Sequence, residues 1–297
     1  MNGKWAAFGL NEFEEVFIEN TVNCYRIKAL IDIANGHMAK MLSLVKAFKE
    51  KYSDIQTEIM VGNIANPLTY LEMAKVGVDY IRCGIGSGEG CITSSNLGVH
   101  YPMASLIEEI REQKKNVERM IDDAKNDAFK SLPKIIADGG IRNYSDVIKA
   151  LALGADYVMI GGLFTRMVES AAKTFFETSD GERVYLTHHH IEEDGDGWLV
   201  SDVLSKEAFT FIKTLKKSFF GMASKKAQEL MHGQKIRTSE GIEKIVEVKF
   251  TLKQWVDNFT DYLRSAMSYT NAKTLNDFIT NTDTIVISNN TYISVNK

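Results

Sequence analysis

The chain has 297 residues, 44% of them apolar, enough to bury a large core as one α/β barrel or as two smaller domains. A formal charge of −4 supplies no basic surplus to attract nucleic acid or an anionic membrane. There is no run of about 18 apolar residues, and the start Met1-Asn2-Gly3-Lys4-Trp5 lacks the blocks of a secretion signal, so a reducing cytoplasmic setting is expected.

Short apolar runs that read as buried parallel strands recur at 5–10, 28–34, 58–64, 80–85, 134–137 and 157–160, with helical patterns between them. After the third run, Asn66 suits a helix N-cap and Pro67 the first helical position. Leu68 and Leu71 share a face, and Gly77 suits the stop. Gly77-Val78-Asp79-Tyr80-Ile81 is echoed by Gly154-Ala155-Asp156-Tyr157-Val158, each joining a helix end to a strand that leads into glycines. Repeated βα units predict a TIM-type (β/α)8 barrel in an α/β protein, here with about six of its eight strands. Residues 178–217 are polar, carry His188-His189-His190 and an acidic run, and read as an inserted flap or hairpin. Beyond them, 252–267 reads as an amphipathic helix, and 283–295, in the C-terminal extension, is rich in β-formers. No Pro- or Ser-rich linker divides the chain, so 1–297 reads as a single domain.

Three cysteines are too few for a disulfide framework and lack metal-ligand spacing. Cys83, within a strand, and Cys24, near a helix end, read as apolar filler. Cys91 differs: it ends the loop Gly84-Ile85-Gly86-Ser87-Gly88-Glu89-Gly90, which leaves a strand on the side where barrels place their working groups. A loop thiol is reachable by substrate and tuned by nearby donors, so Cys91 is the candidate nucleophile. Asp138-Gly139-Gly140 ends one strand and Gly161-Gly162 the next, 23 residues after Asp138. That pairing offers backbone amides to a phosphate and a carboxylate to ribose hydroxyls. Adjacent histidines on an extended strand alternate faces, so the triplet at 188–190 reads as solvated flap rather than metal site. His37 and His100 fall in loops on the Cys91 side and read as hydrogen-bonding support.

Asp32-Ile33-Ala34-Asn35-Gly36, Val61-Gly62-Asn63-Ile64, the loop through Cys91-Ile92-Thr93, Gly98-Val99-His100-Tyr101-Pro102, Asp138-Gly139-Gly140, Gly161-Gly162, Phe220-Gly221-Met222 and Ser239-Glu240-Gly241 occur together in one order. In that order they resemble the IMP dehydrogenase and GMP reductase family over nearly the whole chain outside 178–217. The Asp-Ile-Ala-Asn-Gly run, and only 15 residues between Ser224 and Glu240, look like the reductase branch rather than the long mobile flap of the dehydrogenases. The resemblance implies NADPH-dependent reductive deamination of GMP to IMP and ammonia, with IMP oxidation by NAD, or a catalytically incomplete nucleotide-binding fragment, as alternatives.

Carried over residue by residue, it implies that Cys91 attacks C2 of GMP while Thr93 and Glu240 relay a proton. Asp138 would hold the ribose and Gly139, Gly140, Gly161 and Gly162 the phosphate. Gly221, Met222, Arg237 and Gly241 would hold the remaining edges of the nucleotide. Asp32, Ile33, Ala34, Ile85 and Gly86 would lie near NADPH. Ser265, Ser268 and Tyr269 would reach the dinucleotide of a neighbouring subunit in a homotetramer. Backbone oxygens of Gly86, Gly88 and Cys91 would hold K⁺. Two departures stand out. Glu89 occupies a position where many relatives place a serine facing the phosphate, which sets a carboxylate against a like charge. Ala223 likewise removes a common hydroxyl. Trp5-Ala6-Ala7-Phe8-Gly9 resembles the family's third strand, which implies that two earlier strands come from elsewhere, such as a separate polypeptide.

Overall fold

The six apolar runs form six parallel strands in a computed structural model that describes residues 4–122, 128–186, 189–202, 210–221, 224–232, 241–285 and 287–288. In chain order these are β1 (Ala6–Phe8), α1 (Leu10–Phe13) running into a π-helical turn (Glu14–Glu19), β2 (Arg26–Asp32), α2 (Ala39–Lys51), β3 (Gln56–Ile64) and α3 (Thr69–Val76). Then follow β4 (Tyr80–Cys83), α4 (Thr93–Leu97), α5 (Met103–Asp122), β5 (Lys134–Asp138), α6 (Tyr144–Leu153) and β6 (Tyr157–Met159). The sheet order is β1-β2-β3-β4-β5-β6 with every pair parallel, an α/β, TIM-barrel-like fold.

Period-two alternation sends Ile27, Ala29, Ile31, Ile59, Val61, Ile81, Cys83 and Ile135 to one face, where all are fully buried. Phe48, Tyr70, Met73, Leu106 and Ile110 of the helices pack into the same core. Each large side chain removed from water there contributes about 1.5–3 kcal/mol. The other face carries Leu30, Met60 and Ile136 together with charged side chains that pair with one another. Lys28 meets Glu58 at 2.9 Å, Tyr80 donates to Glu58 at 3.1 Å, and Arg82 meets Asp138 at 2.8 Å.

Helix α3 starts two residues later than Pro67. Asn66 Oδ1 accepts the Leu68 N–H at 3.0 Å, closing a turn ahead of the helix instead of capping it. Tyr70, Met73 and Ala74 form its buried face while Leu68 is exposed, which corrects the expected Leu68–Leu71 stripe. Gly77 ends it in the left-handed conformation as expected.

The sequence echo has a structural cause. Asp79 Oδ2 accepts the Ile59 N–H at 2.7 Å and the Lys49 ammonium at 2.7 Å. Asp156 Oδ2 accepts the Ile135 N–H at 2.7 Å and the Lys114 ammonium at 2.6 Å. Each repeated aspartate thus ties its own strand to the preceding one and to a helix above.

The 178–217 region is more than a hairpin. β7 (Thr174–Glu177), β8 (Arg183–Leu186), β9 (His189–Asp194), β10 (Gly197–Asp202), β11 (Thr210–Ile212), β12 (Lys216–Phe220) and β13 (Glu243–Glu247) form two antiparallel sheets, ordered β13-β12-β7-β8 and β11-β10-β9. Three helices complete the described chain: α7 (Lys225–His232), α8 (Leu252–Tyr269), whose start Thr251 and Gln254 close with a capping box, and α9 (Leu275–Asn281). The described part of 283–295 forms no strand. Among the described residues no helix is long and apolar enough to cross a membrane.

Candidate active site

Cys91 leaves β4 on the glycine loop and lines a cavity of about 380 Å³ with Asn63, Arg82, Thr93, Asp138, Gly139, Gly140, Gly161, Gly162 and Gly221. That volume suits a small molecule, for which about 300–1,000 Å³ is usual. The Cys91 N–H donates to the Gly88 carbonyl at 3.0 Å, closing a turn that presents the side chain. Its thiol donates to Thr93 Oγ1 across 3.1 Å. The backbone of Cys91 pairs with Gly241, the Ile242 N–H donates to the Gly90 carbonyl at 3.1 Å, and the Gly221 N–H donates to the Ile242 carbonyl at 3.0 Å. The chain on either side of the 222–240 stretch therefore abuts the Cys91 loop. Met222, Ala223, Arg237, Ser239 and Glu240 lie outside the described residues. Cys83, by contrast, is fully buried, and burial pushes its thiol well above the ordinary range, which leaves it inert. Cys24 sits half-buried in the stretch before β2, away from any helix end.

Asp138 is held from two strands. Arg82 Nε and Nη2 donate to its Oδ2 at 3.0 and 2.8 Å, and Asn63 Nδ2 reaches the same oxygen at 2.9 Å. Arg82 Nη1 meets Asp32 Oδ1 at 2.6 Å. Burial opposes the guanidinium charge, but Asp138 and Asp32 outweigh it and hold Arg82 above its ordinary value. Asn63 sits where β3 bulges, its register with β4 stepping from Gly62↔Arg82 to Ile64↔Cys83. The bulge re-aims its side chain into the site, where it also donates to the Gly84 carbonyl at 2.8 Å. Gly84 must be glycine: its φ is +134°, and a Cβ would stand 2.2 Å from the Asp138 carbonyl oxygen. Neither Arg82 nor Asn63 was singled out from sequence. Arg82 carries a signal, a charge alternating with apolar Ile81 and Cys83 inside a strand, and Asn63 lies within the Val61-Gly62-Asn63-Ile64 motif, but no local pattern marks the bulge that turns it into the site.

Residues 9–190, more than half the chain, match the model of the IMP dehydrogenase / GMP reductase domain. The chain belongs to the IMP dehydrogenase and GMP reductase family. It is 29% identical over 271 residues to an inosine-5'-monophosphate dehydrogenase of Borreliella burgdorferi, covering 91% of this chain and 57% of that protein. It is 28% identical over 249 residues to a GMP reductase of Onchocerca volvulus (83% and 55%) and 29% identical over 289 residues to one of Oceanobacillus iheyensis (96% and 70%). The chain thus spans about half the length of several curated family relatives that it matches.

The remaining family-implied residues fall into two places. Ala34, Ile85 and Gly86 line the Cys91 cavity. Asp32 ends β2, and Ile33 exchanges backbone hydrogen bonds with Gly62 and Asn63. Ser265 and Tyr269 instead line a separate cleft of about 490 Å³ with Tyr144 and Tyr262, and Ser268 lies on the same helix. The fold does not bring them to Cys91. The Gly86 carbonyl accepts from Ser94 Oγ and the Gly88 carbonyl from the Cys91 N–H. A carbonyl oxygen carries two lone pairs, so one hydrogen bond at each is compatible with cation coordination there.

Glu89 lines the cavity, but its charge is compensated. It pairs with Lys244, and Arg166 Nη2 lies 3.9 Å away. His37 is a strut: its Nε2 accepts the Ala65 N–H at 3.1 Å, so Nδ1–H donates to Thr69 Oγ1 at 2.8 Å. Burial lowers its pKa and keeps it neutral. His100 Nδ1 lies 3.3 Å from the Ile85 carbonyl. His190 pairs with Glu192 at 2.7 Å, and no cluster of three or more His, Cys, Asp or Glu suited to a metal occurs among the described residues. His188 lies outside them.

Proposed function

We propose that this chain carries the catalytic site of a GMP reductase, converting GMP to IMP and ammonia with NADPH. The observation that carries the reading is the Cys91 thiol, hydrogen-bonded to Thr93, opening into one cavity with Asp138 and the glycines 139, 140, 161 and 162. In this reading the Cys91 sulfur forms a bond to C2 of GMP, and the C2–N bond breaks as the amine departs with a proton relayed through Thr93 and Glu240. Ala34, Ile85 and Gly86 would hold NADPH, which would supply a hydride to C2; the C2–S bond then breaks to release IMP and restore the Cys91 thiol. Asp138, its Oδ2 fixed by Arg82 and Asn63, offers its other oxygen to the ribose hydroxyls. Backbone amides of the four glycines take the phosphate, while Gly221, Met222, Arg237 and Gly241 close round the base. The carbonyls of Gly86, Gly88 and Cys91 would hold K⁺, whose charge would steady the loop. Ser265, Ser268 and Tyr269 serve the dinucleotide of a neighbouring subunit in a homotetramer.

The contact between Gly241 and Cys91 supports the role given to its neighbour Glu240. A second reading, IMP oxidation with NAD, uses the same thiol, and the dehydrogenase name of the Borreliella relative favours it. The short stretch between Ser224 and Glu240 favours the reductase. The test follows the reduced-nicotinamide absorbance with GMP and NADPH, and separately with IMP and NAD. Loss of NADPH absorbance that Cys91→Ala reduces to background supports the reductase. Activity only with IMP and NAD transfers the reading to the dehydrogenase. No turnover with either pair, including after addition of a polypeptide supplying two further barrel strands, sinks both.

A further inference from the structure

At the Gly161-Gly162 end the cavity is lined by an anion, Glu89, and two cations stand against that anion just outside the lining. Glu89 Oε2 lies so close to Gly162 that a Cβ there would stand 2.0 Å from it. The Glu89 carboxylate thus rests on one of the backbone positions assigned to the phosphate. Its counter-charges come from two other elements: Lys244 from β13, and Arg166 from the 3-10 turn Phe164–Arg166 that follows the Gly161-Gly162 loop. Lys244 is further placed over the Phe219 ring, 5.6 Å from its centroid, in the cavity wall. All three side chains are about 70% buried, Glu89 and Arg166 at 29% exposure and Lys244 at 28%. Gly161 next to them has open space where a side chain would be.

We infer that Arg166 and Lys244 are the cations that receive the substrate's 5′-phosphate, and that Glu89 is their built-in counter-ion, displaced when the phosphate binds. A carboxylate and a phosphate monoester make the same charge-assisted hydrogen bonds, and both cannot sit on one cation pair without strong repulsion. Glu89 thereby sets how strongly the site discriminates a nucleotide from a nucleoside. The inference rests on the nucleotide reading above for its substrate class, yet it concerns only the phosphate.

The test compares GMP with guanosine, and ribose 5-phosphate with ribose, by equilibrium binding to the wild type, Glu89→Gln, Lys244→Met and Arg166→Met. In Glu89→Gln the phosphate-bearing ligands should bind tenfold or more tighter while guanosine and ribose are unchanged. In Lys244→Met and Arg166→Met they should bind tenfold or more weaker, again with no change for the ligands lacking phosphate. If ribose 5-phosphate follows this pattern and GMP is not recognised, the cation pair stands and the purine reading falls. If GMP is turned over but none of the three variants changes the GMP-to-guanosine affinity ratio, the cation pair falls and the purine reading stands. Absence of any phosphate-dependent binding in both the wild type and Glu89→Gln overturns the inference.

Discussion

Arg82 on β4 joins two carboxylates, Asp138 at the end of the adjacent β5 and Asp32 at the end of β2 two strands away, with its own side chain only 12% exposed. Replacing it by methionine would leave Asp138 partly buried without its counter-charge. Breaking a buried pair costs about 3–5 kcal/mol. Asp32 is half-exposed and recovers water, so Arg82→Met should lose about 2–3 kcal/mol in urea unfolding. Arg82→Lys should recover less than half of that loss, because an ammonium cannot fork to both acids. Equal stability of all three proteins would remove Arg82 as an organiser of the site. Lys217 makes a pH prediction. It is fully buried, donates to the carbonyls of Val168 and Ser170 at 2.8 and 2.7 Å, and burial lowers its pKa from 10.5 to about 8 against a small opposing pull from Glu169. Between pH 8 and 10.5 the unfolded chain keeps a proton that the folded chain has lost, so this group makes stability rise with pH there, by on the order of 3 kcal/mol. Unfolding at a series of pH values should show that rise in the wild type and a flatter profile in Lys217→Met. The loop that carries Cys91 was legible because its glycines are a local pattern. Lys217 was not, since the carbonyls that accept its hydrogen bonds lie more than 45 residues away in the chain.

The βα units were read correctly because their signals are local: an apolar run, a helical spacing, a glycine stop. The repeated Gly-x-Asp-Tyr marked real equivalence, and its meaning emerges only across strands, where Asp79 and Asp156 each accept a neighbouring strand's N–H and a helix lysine. A hydrogen bond to a charged group contributes about 1.5–3 kcal/mol. Asp79→Ala and Asp156→Ala should therefore each cost about 2 kcal/mol, and by similar amounts, in denaturant unfolding. A large loss in one and none in the other would make the echo a coincidence of sequence. The antiparallel sheets were poorly legible for the opposite reason. Pairings such as Lys216↔Phe175 and Lys217↔Val246 join segments that no short pattern connects. The second carboxylate-to-cation link of the site, Glu89 with Lys244, spans 155 residues and was hidden in the same way.

The described strands form an arc whose ends, β1 and β6, each pair on one side only. Both are three residues long, and shortness is one way natural sheets blunt an edge. The arc's face away from the main core carries a row of rings, with Trp5 and Tyr80 at 5.4 Å between centroids and Tyr80 and Tyr157 at 6.0 Å. Trp5 is 38% and Tyr157 46% exposed, so this row is incompletely covered at both edges. Two further parallel strands bridging β1 and β6 would close an eight-stranded barrel and cover those rings, whether they come from the same polypeptide or another. The arc alone has a distinct signature in amide hydrogen exchange. Amides of β3 and β4 are bonded on both sides and backed by the main core, so they should open only with global unfolding. Those of β1 and β6 should exchange on the order of a hundredfold faster, because a single ladder and a half-covered face hold them. Addition of the bridging strands should then slow β1 and β6 selectively and quench the solvent exposure of Trp5 in fluorescence. Uniform protection of all six strands in the chain alone would show that its edges are already covered in solution, and the arc would not be the state that meets substrate.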